Sequence, residues 1–282
     1  MNGILVIHKE AGYTSRDVVN VVSKALGTKK VGHTGTLDPL ATGVLVLCVG
    51  KCLKLVELLT NHDKEYVAKI RLGLETDTLD ITGNVIKKVD VPNQSKEDVK
   101  RVLKSFVGKI EQEVPKYSAI KVNGKKLYEY ARAGIEVKLP VRQVEIYDLD
   151  LISDIQANEF VIKCHVSKGT YIRSLVRDIG LSLGTVATMV ELERIKLGNF
   201  SLEDAYSLQD VKEGNYRLLN PVDVLDLPKV IVDEKLEKKI KNGQVLKKFF
   251  NEDMAMIINH EQELIAIYQK KDEDLVKPYR MF

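Results

Sequence analysis

The chain has 282 residues, of which 43 are lysine or arginine and 40 are aspartate or glutamate, giving a formal net charge of +3. With 44% hydrophobic and 29% charged residues, the composition is that of a globular protein and excludes a disordered or fibrous chain. No stretch approaches the roughly 18 apolar residues that span a membrane, the N-terminus lacks a signal-peptide pattern, and three cysteines are too few for a disulfide framework. We therefore expect a cytoplasmic protein that has no contact with a membrane.

The first part of the chain alternates short strands and helices. The apolar run at 3–9 predicts a buried strand, and Thr14 or Ser15 is suited to cap a helix that ends at Gly27. A loop rich in glycine and threonine follows at 29–43. Later segments are predicted as strands at 44–50 and 64–73, a polar loop at 75–84 and a helix at 95–107 that Ser95 caps.

The second part begins with a basic segment at 116–142. Alternating strands are predicted near 143–152 and 159–167, and a helix starts near Thr170. Short strands mixed with helices predict an α+β fold, with a mixed, largely antiparallel sheet and flanking helices. From about Leu227 the pattern changes to a strand, a helix and further strands. We predict a main domain at 1–226 and a small domain at 227–282, which is too short to be stable unless it leans on the main body.

The loop VGHTGTLDPLATG, at 31–43, concentrates polar residues that are able to do chemistry. Asp38 precedes Pro39, and a proline restricts the residue before it to extended conformations, so the carboxylate is held in a defined direction. The glycine spacing matches neither common phosphate-binding loop. Taken alone, the Asp-Pro pair is more typical of a simple turn.

This loop resembles the catalytic motif of the TruB family of RNA pseudouridine synthases. Two departures from the family pattern, His8 and Glu10, lie away from the proposed chemistry, and the resemblance extends from about residue 3 to 225. Four further blocks are similar to family motifs and occur in the same order: HKEAGYTSRDVV (8–19), KEYVAKIRLGLETDTLDITG (64–83), PKYSAIKVNGKKLYEYARAG (115–134) and SKGTYIRSLVRDIG (167–180).

The resemblance implies a fold, a reaction and a substrate. The fold is that of pseudouridine synthases, with residues 227–282 as a small β-rich PUA-like RNA-binding domain. The reaction converts the T-loop uridine of tRNA, uridine 55, to pseudouridine after the base is flipped out. It breaks the C1′–N1 bond and rejoins the uracil through C5. Because no oxidation state changes and no group is lost, we expect no cofactor and no metal.

The same resemblance implies the roles of individual residues. Asp38 acts at C1′, either as a nucleophile or by assisting elimination of a sugar proton, and Arg173 is its charge partner. Tyr66 stacks on the uracil, and its phenol helps to move the C5 proton. Without the resemblance, Arg173 is typical of a surface charge and Tyr66 of a strand residue in the core. The remaining candidates for substrate binding are His33, Tyr171, Lys9 and Lys121.

Two of these residues have a competing interpretation. His33 is either a general base or a group that fills the space left by the flipped nucleotide, and the resemblance favours the second. Tyr171 fits a place in the core as well as it fits a substrate contact.

The charge distribution favours RNA as the partner more than the net charge does. Residues 116–142 contain seven basic and two acidic residues, with Tyr117, Tyr128 and Tyr130 among them. Basic residues neutralise phosphates and aromatic rings stack on bases, although a charge run alone is typical of a solvated face. We expect the main domain to bind the T-loop elbow of tRNA and the tail to contact the acceptor end.

Two alternatives remain at this point. The first keeps the chemistry but makes the chain a guide-RNA-dependent subunit that acts with accessory proteins. The second is an RNA-binding protein or tRNA-folding chaperone that needs no catalysis. The short tail favours a monomeric enzyme that requires no protein partner.

Overall fold

The computed structural model describes all 282 residues. Short 3-10 helices at Gly50–Leu55 and Leu202–Asp204 accompany the regular elements. The strands are β1 (Gly3–Lys9), β2 (Val31–His33), β3 (Thr42–Val49), β4 (Lys64–Leu72), β5 (Leu74–Thr76), β6 (Val85–Lys88), β7 (Gly108–Glu113), β8 (Lys121–Val122), β9 (Lys125–Lys126), β10 (Val141–Leu151), β11 (Glu159–Val166), β12 (Ala187–Leu197), β13 (Phe200–Ser201), β14 (Lys229–Ile231), β15 (Leu246–Lys247), β16 (Met254–Ile258), β17 (Leu264–Lys270) and β18 (Leu275–Met281). The α-helices are α1 (Ser15–Ala25), α2 (Val56–Thr60), α3 (Lys96–Ser105), α4 (Leu127–Arg132), α5 (Ile172–Ser182), α6 (Leu208–Glu213), α7 (Pro221–Val224) and α8 (Glu234–Lys241).

A nine-stranded sheet organises the first 201 residues. Its main order is β1-β3-β12-β4-β11-β10-β7, with β2 paired to β3 and β13 paired to β12. Only the β3–β12 pair is parallel, and all other neighbours are antiparallel. The predicted α+β class with a mixed, largely antiparallel sheet is therefore confirmed.

The first strand carries a continuous apolar run at 4–7 because both faces of the sheet are covered at this edge. Leu5 and Ile7 belong to the main core of 33 buried residues, which α1, α3 and α5 cover. Ile4 and Val6 point the other way, into a second core of 13 buried residues. A strand that is buried on both faces has no polar alternation, which explains the continuous apolar run.

Local signals fix most element boundaries. Thr14 caps α1 in a reciprocal arrangement with Asp17, and Ser95 caps α3 in the same way with Asp98. The predicted strands at 3–9, 44–50, 64–73, 143–152 and 159–167 are all present within two residues. None of the helices is both long and apolar enough to cross a membrane.

Three features of the main domain were not predicted from the sequence. Strand β12 was not predicted, although it lies between β3 and β4 within the sheet. Residues 75–84 were predicted wholly as a loop, whereas β5 and β6 form a small hairpin around them. The basic segment also carries its own hairpin, β8–β9, and the short helix α4.

The C-terminal residues, from β14 onward, form a β-rich domain that packs against the main sheet. Its five strands have the order β14-β16-β17-β18-β15 and enclose a core of nine buried residues. Met256 and Ile267 instead join the second core of the main domain, beside Ile4 and Val44. At the boundary Arg280 pairs with Glu57 at 2.6 Å. The expectation that this tail leans on the main body is confirmed, and the division at 226/227 remains our proposal.

Replacing Met256 with alanine is expected to destabilise the whole chain and not the tail alone. Met256 has no exposed surface and packs in the core that both domains share. Loss of a buried methionine side chain typically lowers the free energy of unfolding by about 2–5 kcal/mol. Urea denaturation followed by circular dichroism should show one transition at lower denaturant.

Ile231→Ala is the matched control, because Ile231 lies in the same domain and is 54% exposed. It should leave the midpoint nearly unchanged. Two separate transitions, with only the smaller one shifted by Met256→Ala, would mean that the two domains unfold independently.

Candidate active site

The loop between β2 and β3 is fixed at several points by the elements around it. The Leu37 side chain is buried, and the backbone of Leu37 exchanges hydrogen bonds with the hydroxyl of Ser15 at 2.9 and 3.2 Å. The Thr34 hydroxyl donates to the carbonyl of Val46 at 3.3 Å, and the Ala41 N–H donates to the Asp38 carbonyl at 3.0 Å. Asp38 therefore projects from a turn whose backbone is held from both sides.

The far end of this loop requires a glycine. Gly43 has a φ of +98°, and a Cβ at this position would lie 2.2 Å from the carbonyl oxygen of Arg194. No other residue allows β3 and β12 to approach so closely. The contact ties the loop to the central strand of the sheet.

Lys9 lies beneath the loop and not in the cavity beside it. Its ammonium donates to the carbonyls of Glu10, Pro39 and Ala41 at 2.9, 3.3 and 2.6 Å, which uses all three of its protons. The residue has no exposed surface, and burial lowers the pKa of its ammonium to about 8. With these three contacts Lys9 supports the loop that carries Asp38. Its predicted contact with the substrate stays a prediction.

Asp38 and Arg173 form a bidentate ion pair. Arg173 Nε lies 2.8 Å from Asp38 Oδ2, and Nη2 lies 3.2 Å from Oδ1. The arginine comes from the first turn of α5, and only 6% of its side chain is exposed, against 34% for Asp38. Two parallel contacts of this kind fix the direction of a carboxylate as well as its charge. The motifs from which both residues were nominated are 135 residues apart, and the fold brings them together.

The remaining donors of Arg173 are also occupied. Nη1 donates to the Thr78 carbonyl at 3.1 Å, and Nη2 also donates to the Tyr117 carbonyl at 3.0 Å. A second carboxylate, Asp80, lies 3.9 Å from Nη1 and is almost completely buried. The guanidinium is therefore held in a single position by α5, which carries it, and by the three segments that contain Asp38, Thr78 with Asp80, and Tyr117.

Sequence analysis did not single out Asp80. Its Oδ1 accepts hydrogen bonds from the Thr82 N–H and the Thr78 hydroxyl, both at 3.0 Å, so the threonines of the T-D-T-x-D-x-T stretch hold the acid in place. The signal for this site was the density of threonine and aspartate in a short loop.

Two opposing effects act on the pKa of Asp38. Burial raises the pKa of this carboxyl and is the larger effect, while the adjacent Arg173 lowers it. The nearby Asp80 carboxylate raises it further. The pKa of Asp38 is therefore raised overall, and the ion pair with Arg173 limits that rise.

A large cavity of about 1130 Å³ opens beside the ion pair. Asp38, Arg173 and the predicted residues Tyr66, Tyr171 and His33 all line it. Lys121 does not: it is exposed on β8, in the hairpin that follows the lining residues Tyr117 and Ser118. The structure thus brings five of the seven nominated residues around one space.

Tyr66 lies on β4 and is 8% exposed, with its side chain facing the cavity. Burial raises the pKa of its phenol, and the guanidinium of Arg194 opposes this by charge and by a hydrogen bond. Arg194 is the direct neighbour of Tyr66 across the β4–β12 ladder. It was missed with its strand, because an arginine at an inward position of β12 conceals the apolar alternation.

His33 and Tyr171 both line the cavity. Burial, together with the charges of Arg194 and Arg16, lowers the pKa of His33, and its buried Nδ1 has no hydrogen-bond partner. The backbone of Tyr171 exchanges hydrogen bonds with the side chain of Gln112 at 2.8 and 3.1 Å, which fixes the start of α5. His33 is therefore a neutral ring with a free acceptor or donor at the cavity.

The chain contains no cluster of His, Cys, Asp or Glu side chains arranged to hold a metal ion. The close pair Cys48 and Cys52 is buried in the second core as free thiols, and burial raises the pKa of Cys48 to about 12.

Comparisons with known proteins agree with this site. Residues 23–172 match the family model described as TruB family pseudouridylate synthase (N terminal domain). Residues 173–232 match the tRNA pseudouridylate synthase B C-terminal domain, a segment that runs from α5 to just past β14 and does not coincide with the C-terminal sheet.

Relatives share the full length of the chain. A protein named tRNA pseudouridine synthase B from Listeria welshimeri is 44% identical, over 100% of this chain and 98% of the relative. One of the same name from Caldanaerobacter subterraneus is 41% identical, over 100% and 99%.

Two solved structures, each 25% identical, cover 99% of this chain and 84% of theirs. They are an H/ACA RNP bound to a substrate RNA containing 2′-deoxyuridine, with a TM-score of 0.73, and a Cbf5-Nop10-Gar1 complex, with a TM-score of 0.74. The chain belongs to the TruB family of pseudouridylate synthases.

Removing the charge of Arg173 is expected to raise the pKa of Asp38. Arg173→Gln leaves Asp38 buried near Asp80 without the cation that lowers its pKa, so the carboxyl should hold its proton to higher pH. A titration by ¹³C NMR of protein labelled at the aspartate carboxyl carbon measures this directly, with the Asp38 signal assigned from its absence in Asp38→Asn.

Arg177→Gln is the control, since Arg177 lies on the same helix and pairs with Glu113 and Asp178 away from the cavity. It should leave the Asp38 titration unchanged. An unaltered Asp38 pKa in Arg173→Gln, or an equal shift in both variants, would show that the ion pair does not set the charge of Asp38.

Proposed function

We propose that this protein isomerises the T-loop uridine of tRNA, uridine 55, to pseudouridine, and that it acts in the cytoplasm as a monomer without a protein partner or cofactor. The observation that carries the proposal is the Asp38–Arg173 ion pair, buried at the edge of a cavity of about 1130 Å³ that Tyr66 also lines. The names of the full-length relatives support the same activity.

The site has the groups that the reaction requires. Uracil must leave C1′, turn and return through C5, while the C5 proton departs and N1 gains a proton, so that substrate and product are isomers. Asp38 supplies a fixed carboxylate at C1′ as the C1′–N1 bond breaks. Arg173 keeps that carboxylate ionised and oriented, and its own position is fixed by the carbonyls of Thr78 and Tyr117.

The cavity is large enough to take a nucleotide that has left its RNA stack. Tyr66 offers a ring face on one wall, and Tyr171 and His33 line the others. Because His33 is uncharged, it suits packing against RNA better than proton transfer from a charged ring. The basic segment at 116–142 reaches the rim, where Lys126 and Arg132 both lie 5.4 Å from the ring centre of Tyr128.

In this proposal Tyr66 stacks on the uracil and helps to remove the C5 proton, and its environment affects both roles. The raised pKa keeps the phenol protonated at neutral pH, which suits a stacking ring. Removing the C5 proton requires phenolate character, which the guanidinium of Arg194, across the β4–β12 ladder from Tyr66, is placed to stabilise.

The two alternatives differ in what they require. A chain that acts with accessory proteins has its counterpart in the Cbf5-Nop10-Gar1 complex, which shares 25% identity with this chain, whereas the relatives named tRNA pseudouridine synthase B share 41–44%. An RNA chaperone needs neither the buried ion pair nor the fixed Tyr66. Incubating the protein alone with an unmodified tRNA transcript, followed by chemical mapping of pseudouridine, separates the proposal from both alternatives. Pseudouridine at position 55 supports the proposal, and its absence with intact binding favours one of the two alternatives.

Asp38→Asn is expected to abolish turnover and to leave tRNA binding near that of the wild type. The amide keeps the size of the side chain but cannot act as a nucleophile at C1′, a loss of several orders of magnitude, on the order of 8 kcal/mol in activation free energy. Single-turnover kinetics and a filter-binding assay separate the two effects.

Asp154→Asn serves as the control, because that carboxylate is 63% exposed and pairs only with Lys96 at the surface. It should behave as the wild type. A turnover of Asp38→Asn within tenfold of the wild type would remove Asp38 from the chemistry.

Tyr66→Phe and Tyr66→Leu separate stacking from proton transfer. If the ring only stacks, a contact worth roughly 1–3 kcal/mol per base, Phe should be nearly as active as Tyr and Leu should lose about tenfold to a hundredfold. We expect both variants to be slow, because the last step needs a base and Asp38 is committed at the sugar. A C5-deuterated substrate should then show a larger isotope effect with Phe than with Tyr.

Tyr147, which is 46% exposed and outside the cavity, provides matched controls through Tyr147→Phe and Tyr147→Leu. Rates close to the wild type for both Tyr66 variants would return Tyr66 to a purely structural place in the core.

A further inference from the structure

The cavity beside Asp38 has many more cations than anions. Asp38 is the only carboxylate in its lining, and Arg173 already pairs with it. The basic side chains of the lining are Arg16, Lys64, Arg142, Lys168, Arg173 and Arg194. Five cations therefore face the cavity without an acidic partner in its wall.

Two of these five cations are buried and yet form no ion pair with a carboxylate. Lys64 is 8% exposed and Arg194 is 1% exposed. The Lys64 ammonium donates to the carbonyl of Thr60 at 2.9 Å and to that of His62. Arg194 donates to the carbonyls of Val44 and Gly35 at 2.7 and 3.1 Å. Carbonyls are neutral, so they satisfy hydrogen bonds but do not cancel the charge, and an uncompensated buried charge destabilises a fold.

The two buried cations also act on each other. Burial and the positive charges of Arg194 and Lys168 lower the pKa of Lys64 to about 8, and the carboxylate of Asp63, which pairs with His165, opposes them only in part. Lys64 is therefore protonated at neutral pH. An anion placed between Lys64 and Arg194 removes both penalties. An ammonium has three protons, and the carbonyls occupy two, so one remains for such an anion.

The position of Lys64 relates this charge to the base site. Lys64 and Tyr66 are alternate residues of β4, so both face the cavity, about 7 Å apart along the strand. Arg194 lies opposite Tyr66 on β12. Lys168 also lines this end of the cavity, with its ammonium 2.8 Å from the side-chain oxygen of Asn61. The distance from Tyr66 to Lys64 is comparable with that from a base to the phosphate of its own nucleotide.

We propose that Lys64, with Arg194 and Lys168 around it, binds a backbone phosphate that adjoins the flipped-out uridine. The site then holds the nucleotide at two points, the ring of Tyr66 and the ammonium of Lys64, and the phosphate supplies the anion that the wall of the cavity lacks. The inference rests on the proposed function, since it takes RNA as the occupant of the cavity.

The test uses an RNA stem-loop with the T-loop sequence and its uracil-bearing target. Two further stem-loops carry an uncharged methylphosphonate in place of the phosphate on the 5′ or the 3′ side of the target uridine. The dissociation constant of each RNA is measured by fluorescence anisotropy, over a range of salt, for the wild type, Lys64→Met and Lys196→Met. Lys196 is the matched control, because it lies on the adjacent strand, pairs with Glu65 and is absent from the cavity wall.

Lys64→Met is expected to weaken binding of the unmodified stem-loop about fivefold to tenfold and to reduce the salt slope by about 0.7, the value for one contact with single-stranded RNA. One of the two methylphosphonates should weaken wild-type binding by a similar factor and should cause no further loss with Lys64→Met. Lys196→Met should retain the wild-type sensitivity to that methylphosphonate.

Additive losses in Lys64→Met for both methylphosphonates, or equal losses for Lys64→Met and Lys196→Met, would overturn the proposal. If Lys64→Met does not fold, the measurements on the wild type still test the proposal. Wild-type binding that is insensitive to both methylphosphonates would overturn it by itself. Pseudouridine formation on the unmodified stem-loop tests the proposed function separately. A wild type that forms pseudouridine without this coupling refutes only the phosphate site, and one that shows coupling without pseudouridine refutes the enzyme.

Discussion

A carboxylate that is fixed and ionised inside a protein depends on one opposing cation, and here that cation is Arg173. Burial raises the pKa of Asp38, and Arg173 counters it through two contacts of 2.8 and 3.2 Å. Much of the surrounding fold serves this pair. Lys9 and Ser15 hold the loop on one side, and the start of α5 presents the arginine on the other. Since each group is held by hydrogen bonds from a different segment, the pair forms only when the sheet, the loop and α5 are all in place.

The second constraint is electrostatic and concerns the whole cavity. Protein charges that face one another are usually matched, yet Arg194 and Lys64 are buried against neutral carbonyls. An enzyme that binds a polyanion gains from this arrangement, because the substrate completes the charge balance that the free protein lacks. The buried, unpaired cations destabilise the free protein, and the large cores on both faces of the sheet offset this loss of stability. The excess positive charge is thus local, which explains why a net charge of only +3 is compatible with RNA as the partner.

The sequence was sufficient where a local rule decides the structure. Thr14 and Ser95 predicted the helix starts because capping depends on residues three positions away. The continuous apolar run of β1 predicted a buried strand because it is too short for a buried helix. The sequence was insufficient where a distant contact determines the role of a residue. Lys9 stands in a family motif, and only the fold shows that its ammonium bonds the carbonyls of Pro39 and Ala41, some thirty residues on. Strand β12 was missed because Arg194 occupies an inward position that an ordinary strand fills with an apolar residue.

The motif residues of the active site could be identified from the sequence, but the residues that support them could not. Asp38, Tyr66 and Arg173 stand in motifs and can be identified from sequence resemblance. Asp80 and Arg194 act through the motif residues: one faces the outer side of Arg173, and the other lies across the ladder from Tyr66. Their importance is a property of geometry, since neither is conspicuous in the chain until β12 is placed beside β4 and the threonine-rich loop is folded onto α5. A charge next to a reacting group sets the protonation state of that group, and so these supporting residues decide which proton chemistry the motif residues perform.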